Sequence, residues 1–441
     1  MARENTILGL DIGTSLIKVV EMKGGPKGAV RLTGVAIRPS PPGVISNGVI
    51  VEPQVIGMAL KQMLTAHGVK TRQVVCSVSG QSALVVRPIE VPRMSRQELA
   101  DTMKWEVERH IPFAASEVIM DYQPLVDPSE LPEGAQNMEV LLAVAQEDLV
   151  NAYLETLTVA GLEPVAIDVE PLSAARALVD IRASEGAYEK TYALVNVGAS
   201  TTDVSIIKKG GILHFTRPIP LAGDTVTRAV AEGLGKGPDE AERLKKEYAQ
   251  VLHPERDAHA EPPAPAVELS TPPAETVVPP EGPRVTVMSE PEEEARKGKS
   301  SVFDLTAELG SVPPPRRPSS APPATPAPRP VAHEGNGLAD QIARAILPTL
   351  AELVGEIRRS LEYYRTRYPA VEIDEVLLYG GTSRMPGLDR YVGTELGLPV
   401  SLADPLARVE VATKDYAPAY FDEIRGVLPI SVGLAVRDML D

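Results

Sequence analysis

Gly9-Leu10-Asp11-Ile12-Gly13-Thr14-Ser15-Leu16-Ile17-Lys18 sets two apolar strand-like runs, Ile7–Leu10 and Ile17–Met22, on either side of a tight polar turn. Gly13 lets the backbone come close to a ligand, and Thr14 and Ser15 offer N–H and hydroxyl donors to phosphate oxygens. Asp11 is placed to hold Mg²⁺ through water, because that ion gives up its hydration shell reluctantly. Lys18, one strand later, can reach back to phosphate as a point charge.

The design returns in Leu194-Val195-Asn196-Val197-Gly198-Ala199-Ser200-Thr201-Thr202-Asp203-Val204-Ser205-Ile206. Two such hairpins can grip phosphates from opposite sides, and the second assigns Asn196, Gly198, Ala199, Ser200, Thr201 and Thr202 to that task. A third turn, Leu378-Tyr379-Gly380-Gly381-Thr382-Ser383-Arg384, ends a strand in bare backbone against which a flat ring can lie. Singly, each reads equally as an ordinary turn between strands. Their order along one chain is what carries information.

Outside these turns the chain of 441 residues has room for two or more domains. Its formal charge, 44 − 60 = −16, repels nucleic acid and anionic lipid alike. Aromatic residues are only 4%, too few for a base-stacking surface. The single cysteine, Cys76, excludes an intrachain disulfide and sits in an apolar run, where a buried strand residue is expected. The N-terminus lacks the apolar core of a signal peptide, and no apolar run is long enough to span a membrane. Any membrane association is therefore expected through a protein partner. The six histidines, His67, His110, His214, His253, His259 and His333, form no metal-ligand spacing.

Composition breaks after residue 250. Pro254–Pro330 holds nineteen of the 42 prolines and is expected to be disordered, because it cannot bury enough apolar surface to offset its ordering entropy. Helical periodicity then resumes: Ile342, Ile346, Leu350, Leu353, Ile357, Leu361 and Tyr364 share one face, with Pro348 as a point of possible kinking. Ser95 with Glu98 predicts a capping box opening a helix through Leu99, Met103, Val107 and Ile111. Strands alternate with helices in both halves, which gives an α/β fold.

The three turns together resemble the phosphate-one, phosphate-two and adenosine motifs of the actin, sugar kinase and heat-shock chaperone superfamily. Ala222-Gly223-Asp224 and Ala241-Glu242-Arg243-Leu244-Lys245 resemble the segment that closes over ribose and adenine in FtsA and MreB. That resemblance puts Gly223, Glu242, Lys245, Lys246, Gly380, Gly381, Thr382 and Arg384 around the nucleoside. Val165–Glu170 and Ile430–Val436 resemble the two segments that connect the lobes at the hinge. Met103–Phe113, Ala160-Gly161-Leu162-Glu163-Pro164 and Ser360-Leu361-Glu362-Tyr363-Tyr364 narrow the resemblance to the PilM branch.

What the resemblance implies is an actin-like, ribonuclease H-like fold of two lobes with an FtsA/PilM-type extra subdomain. The first lobe takes residues 1–175 with the subdomain over about 73–145. The second takes 176–250 and 336–441 and returns to the hinge, and the Pro-rich insertion fills 251–335. It also implies ATP with Mg²⁺ in the cleft. The implied partner is the cytoplasmic N-terminal peptide of a PilN-like inner-membrane protein, with PilO and the pilus motor ATPases as indirect partners. The implied place is the inner face of the inner membrane.

One departure stands out. The second phosphate motif usually opens on Asp, and here it is Asn196, which puts Mg²⁺ binding at this end, and hydrolysis, in question. Asp203 is retained later in the same hairpin, where FtsA-like proteins often carry Asp, or else it simply finishes the turn. Two other readings share the superfold: a small-molecule kinase, for which Asp168 and Glu170 are the nearest candidate bases, and a filament-forming protein like FtsA or MreB.

Overall fold

The computed structural model describes residues 6–25, 29–80, 83–181, 186–251, 334–413 and 416–440. The expected disordered stretch falls almost entirely outside the described residues.

The first lobe opens with strands β1 (Thr6–Ile12), β2 (Leu16–Gly24) and β3 (Val30–Pro39), each antiparallel to the next. A short ribbon, β4 (Ile45–Ser46) with β5 (Val49–Ile50), leads into helix α1 (Pro53–Ala66) and strand β6 (Gln73–Val78), which lies parallel to β1. The chain then leaves for β7 (Leu84–Pro92), α2 (Arg96–His110), β8 (Val118–Pro124) and β9 (Asn137–Gln146). It comes back as α3 (Glu147–Ala160), β10 (Glu163–Val169), parallel to β6, and α4 (Glu170–Leu178).

The second lobe repeats the plan with β11 (Tyr192–Val197), β12 (Thr202–Lys208), β13 (Ile212–Ile219), α5 (Gly223–Leu234), α6 (Pro238–Tyr248), α7 (Glu334–Arg367), β14 (Glu375–Tyr379), α8 (Leu388–Leu396) and β15 (Val400–Leu402). Its sheet runs β13-β12-β11-β14-β15, the same order as β3-β2-β1-β6-β10 in the first lobe. In both, three antiparallel strands are followed by two parallel ones. The central strands are buried on both faces, which is why Ile7-Leu8 and Val74-Val75-Cys76 read as continuous apolar runs rather than alternating ones.

Helix α7 carries the predicted stripe: all seven residues from Ile342 to Tyr364 are buried. Pro348 lies inside a single helix of 34 residues. The capping box at Ser95 is present, with the Glu98 N–H donating to Ser95 Oγ at 3.3 Å and the Ser95 N–H to Glu98 Oε2 at 2.9 Å.

Two boundaries differ from expectation. Gln73–Val78 is a strand of the six-stranded sheet, hydrogen-bonded between β1 and β10, so the inserted unit starts only at β7. That unit is the three-stranded sheet β7-β9-β8 backed by α2. In addition, β16 (Glu410–Val411), late in the chain, returns to the first lobe and pairs with β3, where Arg31 Nε meets Glu410 Oε2 at 2.7 Å.

The chain ends with α9 (Pro418–Ile424) and α10 (Pro429–Ala435), and α10 crosses α4 at the hinge. Small residues permit the crossing. A Cβ on Gly433 would lie 1.7 Å from the carbonyl oxygen of Ser173, and one on Gly9 would lie 1.8 Å from that of Ser431. One apolar core surrounds this crossing and takes residues from both lobes, including Ile7, Val20, Leu178, Tyr192, Leu194 and Leu434.

Candidate nucleotide-binding cleft

The two hairpins are superposable in register as well as in sequence. Asp11 lies opposite Lys18 on the β1–β2 pair, and Asn196 lies opposite Asp203 on β11–β12. In the first turn the Gly13 N–H donates to Leu16 O at 3.0 Å. In the second, the Gly198 N–H donates to Thr201 O at 2.9 Å. Each glycine sits where no side chain fits well: a Cβ on Gly198 would come within 2.9 Å of Thr201 O, and one on Gly13 within 3.1 Å of Leu16 O. The two tips meet across the cleft, with Thr14 Oγ1 and Ser200 Oγ 3.1 Å apart. Residues 186 apart in sequence thus form one polar rim.

Each turn is braced from behind. Ser40, which the sequence did not single out, donates its N–H to Ser15 O at 2.9 Å and its hydroxyl to Gly13 O at 2.6 Å. The second turn is braced by the start of α5 and by the third turn. The Gly223 and Asp224 N–H groups donate to Gly198 O and Ala199 O at 3.1 and 2.8 Å, and Thr382 Oγ1 donates to Gly198 O at 2.8 Å. A Cβ on Gly223 would lie 2.6 Å from Thr382 Oγ1 and 3.5 Å from Lys245 Nζ, so the three segments converge on one small space.

Around that space Lys245 Nζ donates to Gly223 O at 3.1 Å and Thr227 Oγ1 at 2.8 Å, and pairs with Glu242 Oε2 at 2.6 Å. Lys246, one residue on, is mostly exposed and meets Glu242 Oε1 at 3.3 Å. Gly380, at a φ of +94°, presses on the second hairpin: a Cβ there would strike Asn196 Oδ1 at 2.5 Å. Gly381 faces open space, as a ring platform requires. Arg384 rests its aliphatic stem beside Gly426. Thr202 is fully buried and spends its hydroxyl on Leu221 O at 2.6 Å, so it serves the fold rather than a phosphate.

The electrostatics centre on Asp11, Glu170 and Asp203. Asp11 is buried and ion-paired with Lys18 Nζ at 2.6 Å. Burial first, and then the Asp11 and Asp203 carboxylates, push Glu170 well above the usual carboxylate range. Burial likewise raises Asp203 to about 6, and Thr201 Oγ1 donates to it at 3.3 Å. The phenol of Tyr379 is driven up by burial and the same three acids. Asp168, two residues before Glu170, is engaged elsewhere. Its Oδ2 is 2.6 Å from Arg176 Nη1 and 3.7 Å from Arg437 Nε, so it locks the hinge and is no free base.

Three acids against one lysine suit a divalent cation. Among the described residues, no three acidic, histidine or cysteine side chains converge closely enough to ligate a metal directly. Asp11, Glu170 and Asp203 offer oxygen donors, the ligand type Mg²⁺ takes, and that ion usually keeps several of its waters.

Residues 9–255 match the model of the type IV pilus assembly protein PilM family. The chain belongs to the PilM family. Residues 193–420 also match the model of the cell division protein FtsA, which spans the second lobe. Among solved structures, a PilM–PilN type IV pilus biogenesis complex aligns with a TM-score of 0.71 at 26% identity, covering 99% of this chain and 98% of that one. FtsA of Streptococcus pneumoniae is 25% identical over 276 residues, and that of Pseudomonas aeruginosa is 27% identical over 263. These alignments take in 58% and 56% of this chain, and 58% and 61% of the relatives' own lengths. The fold of this PilM-family protein is accordingly actin-like, with the FtsA-type duplication of two lobes. No helix among the described residues is long and apolar enough to cross a membrane.

Proposed function

We propose that this protein is an ATP-binding scaffold of type IV pilus assembly that takes the cytoplasmic N-terminal peptide of a PilN-like inner-membrane protein, with affinity set by the nucleotide. One observation carries the reading: a chain of the PilM–PilN complex is matched almost from end to end.

In this reading the backbone N–H groups and hydroxyls at Thr14, Ser15, Ala199, Ser200 and Thr201 bind phosphate oxygens from both lobes. Lys18 is shared between Asp11 and the phosphates. Glu242 receives the ribose hydroxyls, Lys245 borders the base, and Gly380 and Gly381 floor the adenine. Asp11, Glu170 and Asp203 would hold Mg²⁺ through water, and the ion would supply positive charge to the phosphates. The phosphates tie the two turns together and so favour the closed cleft. A partner that prefers that state gains affinity by the same factor. PilO and the motor ATPases would be reached through the PilN-like protein, which also holds this chain at the inner face of the inner membrane.

A kinase reading needs an ionised base beside the substrate hydroxyl. Asp168 is bound by arginine and Glu170 is held towards its neutral form, so holding ATP is favoured over transferring its phosphate.

Calorimetric titration of a synthetic peptide from the N-terminus of the cognate PilN-like protein tests the proposal. Saturable binding that weakens several-fold without ATP and Mg²⁺ is expected, and Asp11→Ala should lower both ATP retention and peptide affinity. Peptide binding indifferent to nucleotide, or no binding in either state, refutes it.

A further inference from the structure

The inserted unit has two working faces. Met138, Val140, Leu142 and Val144 alternate along β9 towards α2, where they pack with Leu99, Met103 and Val107. Leu141 points the other way. It joins the core that contains Tyr192, Ile207 and Leu213 of the second lobe, and Val86 of β7 packs against the same core. The unit is thus inserted in the first lobe but docked on the second.

Glu139 lies on that docking face, in step with Leu141. Its Oε2 is 3.0 Å from Nε2 of His214 on β13, and its Oε1 accepts from the Tyr368 hydroxyl at 3.1 Å. His214 Nδ1 is 2.9 Å from the hydroxyl of Tyr364, near the end of α7. His214 and Tyr364 are buried, and the His214 and Tyr368 rings lie 4.2 Å apart. The His214 hydrogen bond draws the Glu139 carboxyl below its usual range, so Glu139 is the acceptor. Nε2–H then donates to Glu139, and Nδ1 and the Tyr364 hydroxyl share the second hydrogen bond. The four side chains form one connected hydrogen-bond network between the inserted unit and the second lobe.

The unit meets the first lobe at its base, where Ala83 and Ala145 are buried with Leu149 and Val150 of α3 in an apolar core. After β6 the chain passes Gly80, at a φ of +153°, and β9 runs straight into α3. Gly80 holds a backbone conformation that residues with a side chain rarely adopt.

We propose that Glu139, His214, Tyr364 and Tyr368 are a latch that fixes the inserted unit to the second lobe, so that the two move as one body against the first lobe. This rests on the nucleotide-gated reading for its purpose. It names the route by which cleft closure reaches a peptide held beside the inserted unit: through Glu139 and not through the covalent junctions.

Distances between spin labels in the full chain test it. Labels go on exposed sites in the unit (Asp101→Cys), the second lobe (Glu232→Cys) and the first lobe (Lys61→Cys), with the buried Cys76 left unlabelled. The 101–232 distribution should be narrow and unmoved by ATP with Mg²⁺, while 61–232 shifts. Glu139→Gln, which replaces one acceptor oxygen by a donor, should at least double the width of 101–232. Tyr368→Phe, which deletes a single hydroxyl and spares the fold, should widen it less. If ATP moves 101–232 as far as 61–232, or if both variants leave 101–232 as narrow as before, the latch is refuted. A 61–232 distance that ignores ATP would instead count against nucleotide gating, and the variants would still decide the latch.

Discussion

Gly433→Ala should weaken the fold, although the same exchange in an open helix strengthens it. Alanine is favoured over glycine inside a helix by about 1 kcal/mol. At Gly433, however, the new methyl would sit 1.7 Å from Ser173 O and 2.5 Å from its carbonyl carbon. Ordinary carbon–oxygen contact needs roughly 3.5 Å, so α10 and α4 must part by about 1.5 to 2 Å. Both neighbours are backbone, and neither can swing aside. Overpacking of a tight core costs about 1–3 kcal/mol, and a backbone clash belongs at the upper end. The net expectation is a loss of about 2 kcal/mol. Gly355, inside α7, is the control, because a Cβ there meets only the far end of the Arg359 side chain at 3.9 Å. Gly355→Ala should gain about 0.5–1 kcal/mol. Urea unfolding of the two variants beside the parent reads the difference. Shifts of the same sign would refute the claim that backbone contact, rather than helix propensity, explains the glycine at 433.

Ser95→Ala removes the acceptor of the capping box and should cost about 1 kcal/mol, confined to the inserted unit. Amide exchange in the first turn of α2 should accelerate roughly fivefold, with β1 and β11 unchanged. Asp203 titrates near 6 in the fold against an ordinary value of 3.8. Its contribution is therefore fully present below about pH 4 and lost as pH rises through about 6. Asp203→Asn should flatten the stability of the nucleotide-free protein between pH 4 and 7. A variant that keeps the parent's slope would place the buried charge elsewhere.

The parts of the fold fixed by local pattern were legible in the sequence. Buried strands announce themselves as apolar runs, α7 by its stripe, and α2 by Ser95 and Glu98. The two glycine turns were legible because a glycine followed by hydroxyls between two strands is a local device. Ser40 was not legible, since its role comes from where β3 ends relative to Gly13 and Ser15, a tertiary accident of position. Thr202 was misread because composition does not say which face of the strand a hydroxyl occupies. The inserted unit was placed too early because β6 and β7 are both apolar strands, and only hydrogen bonding to β1 and β10 separates them. Glu139 and His214 lie 75 residues apart, and nothing in either neighbourhood signals the other.

The duplicated register also bears on Asn196. In the first hairpin the paired positions hold Asp11 and Lys18, which neutralise each other. In the second they hold Asn196 and Asp203, so the pair keeps one carboxylate on the opposite strand from the usual place. An aspartate at 196 would set two carboxylates directly across a strand pair, where like charges repel. It would also turn its charge towards Gly380, which already packs within van der Waals reach of the Asn196 oxygen. Asparagine suits that contact because its amide can be satisfied without a counter-ion. Asp203 thus keeps one carboxylate in the second pair, and with Asp11 it is among the charges that raise Glu170.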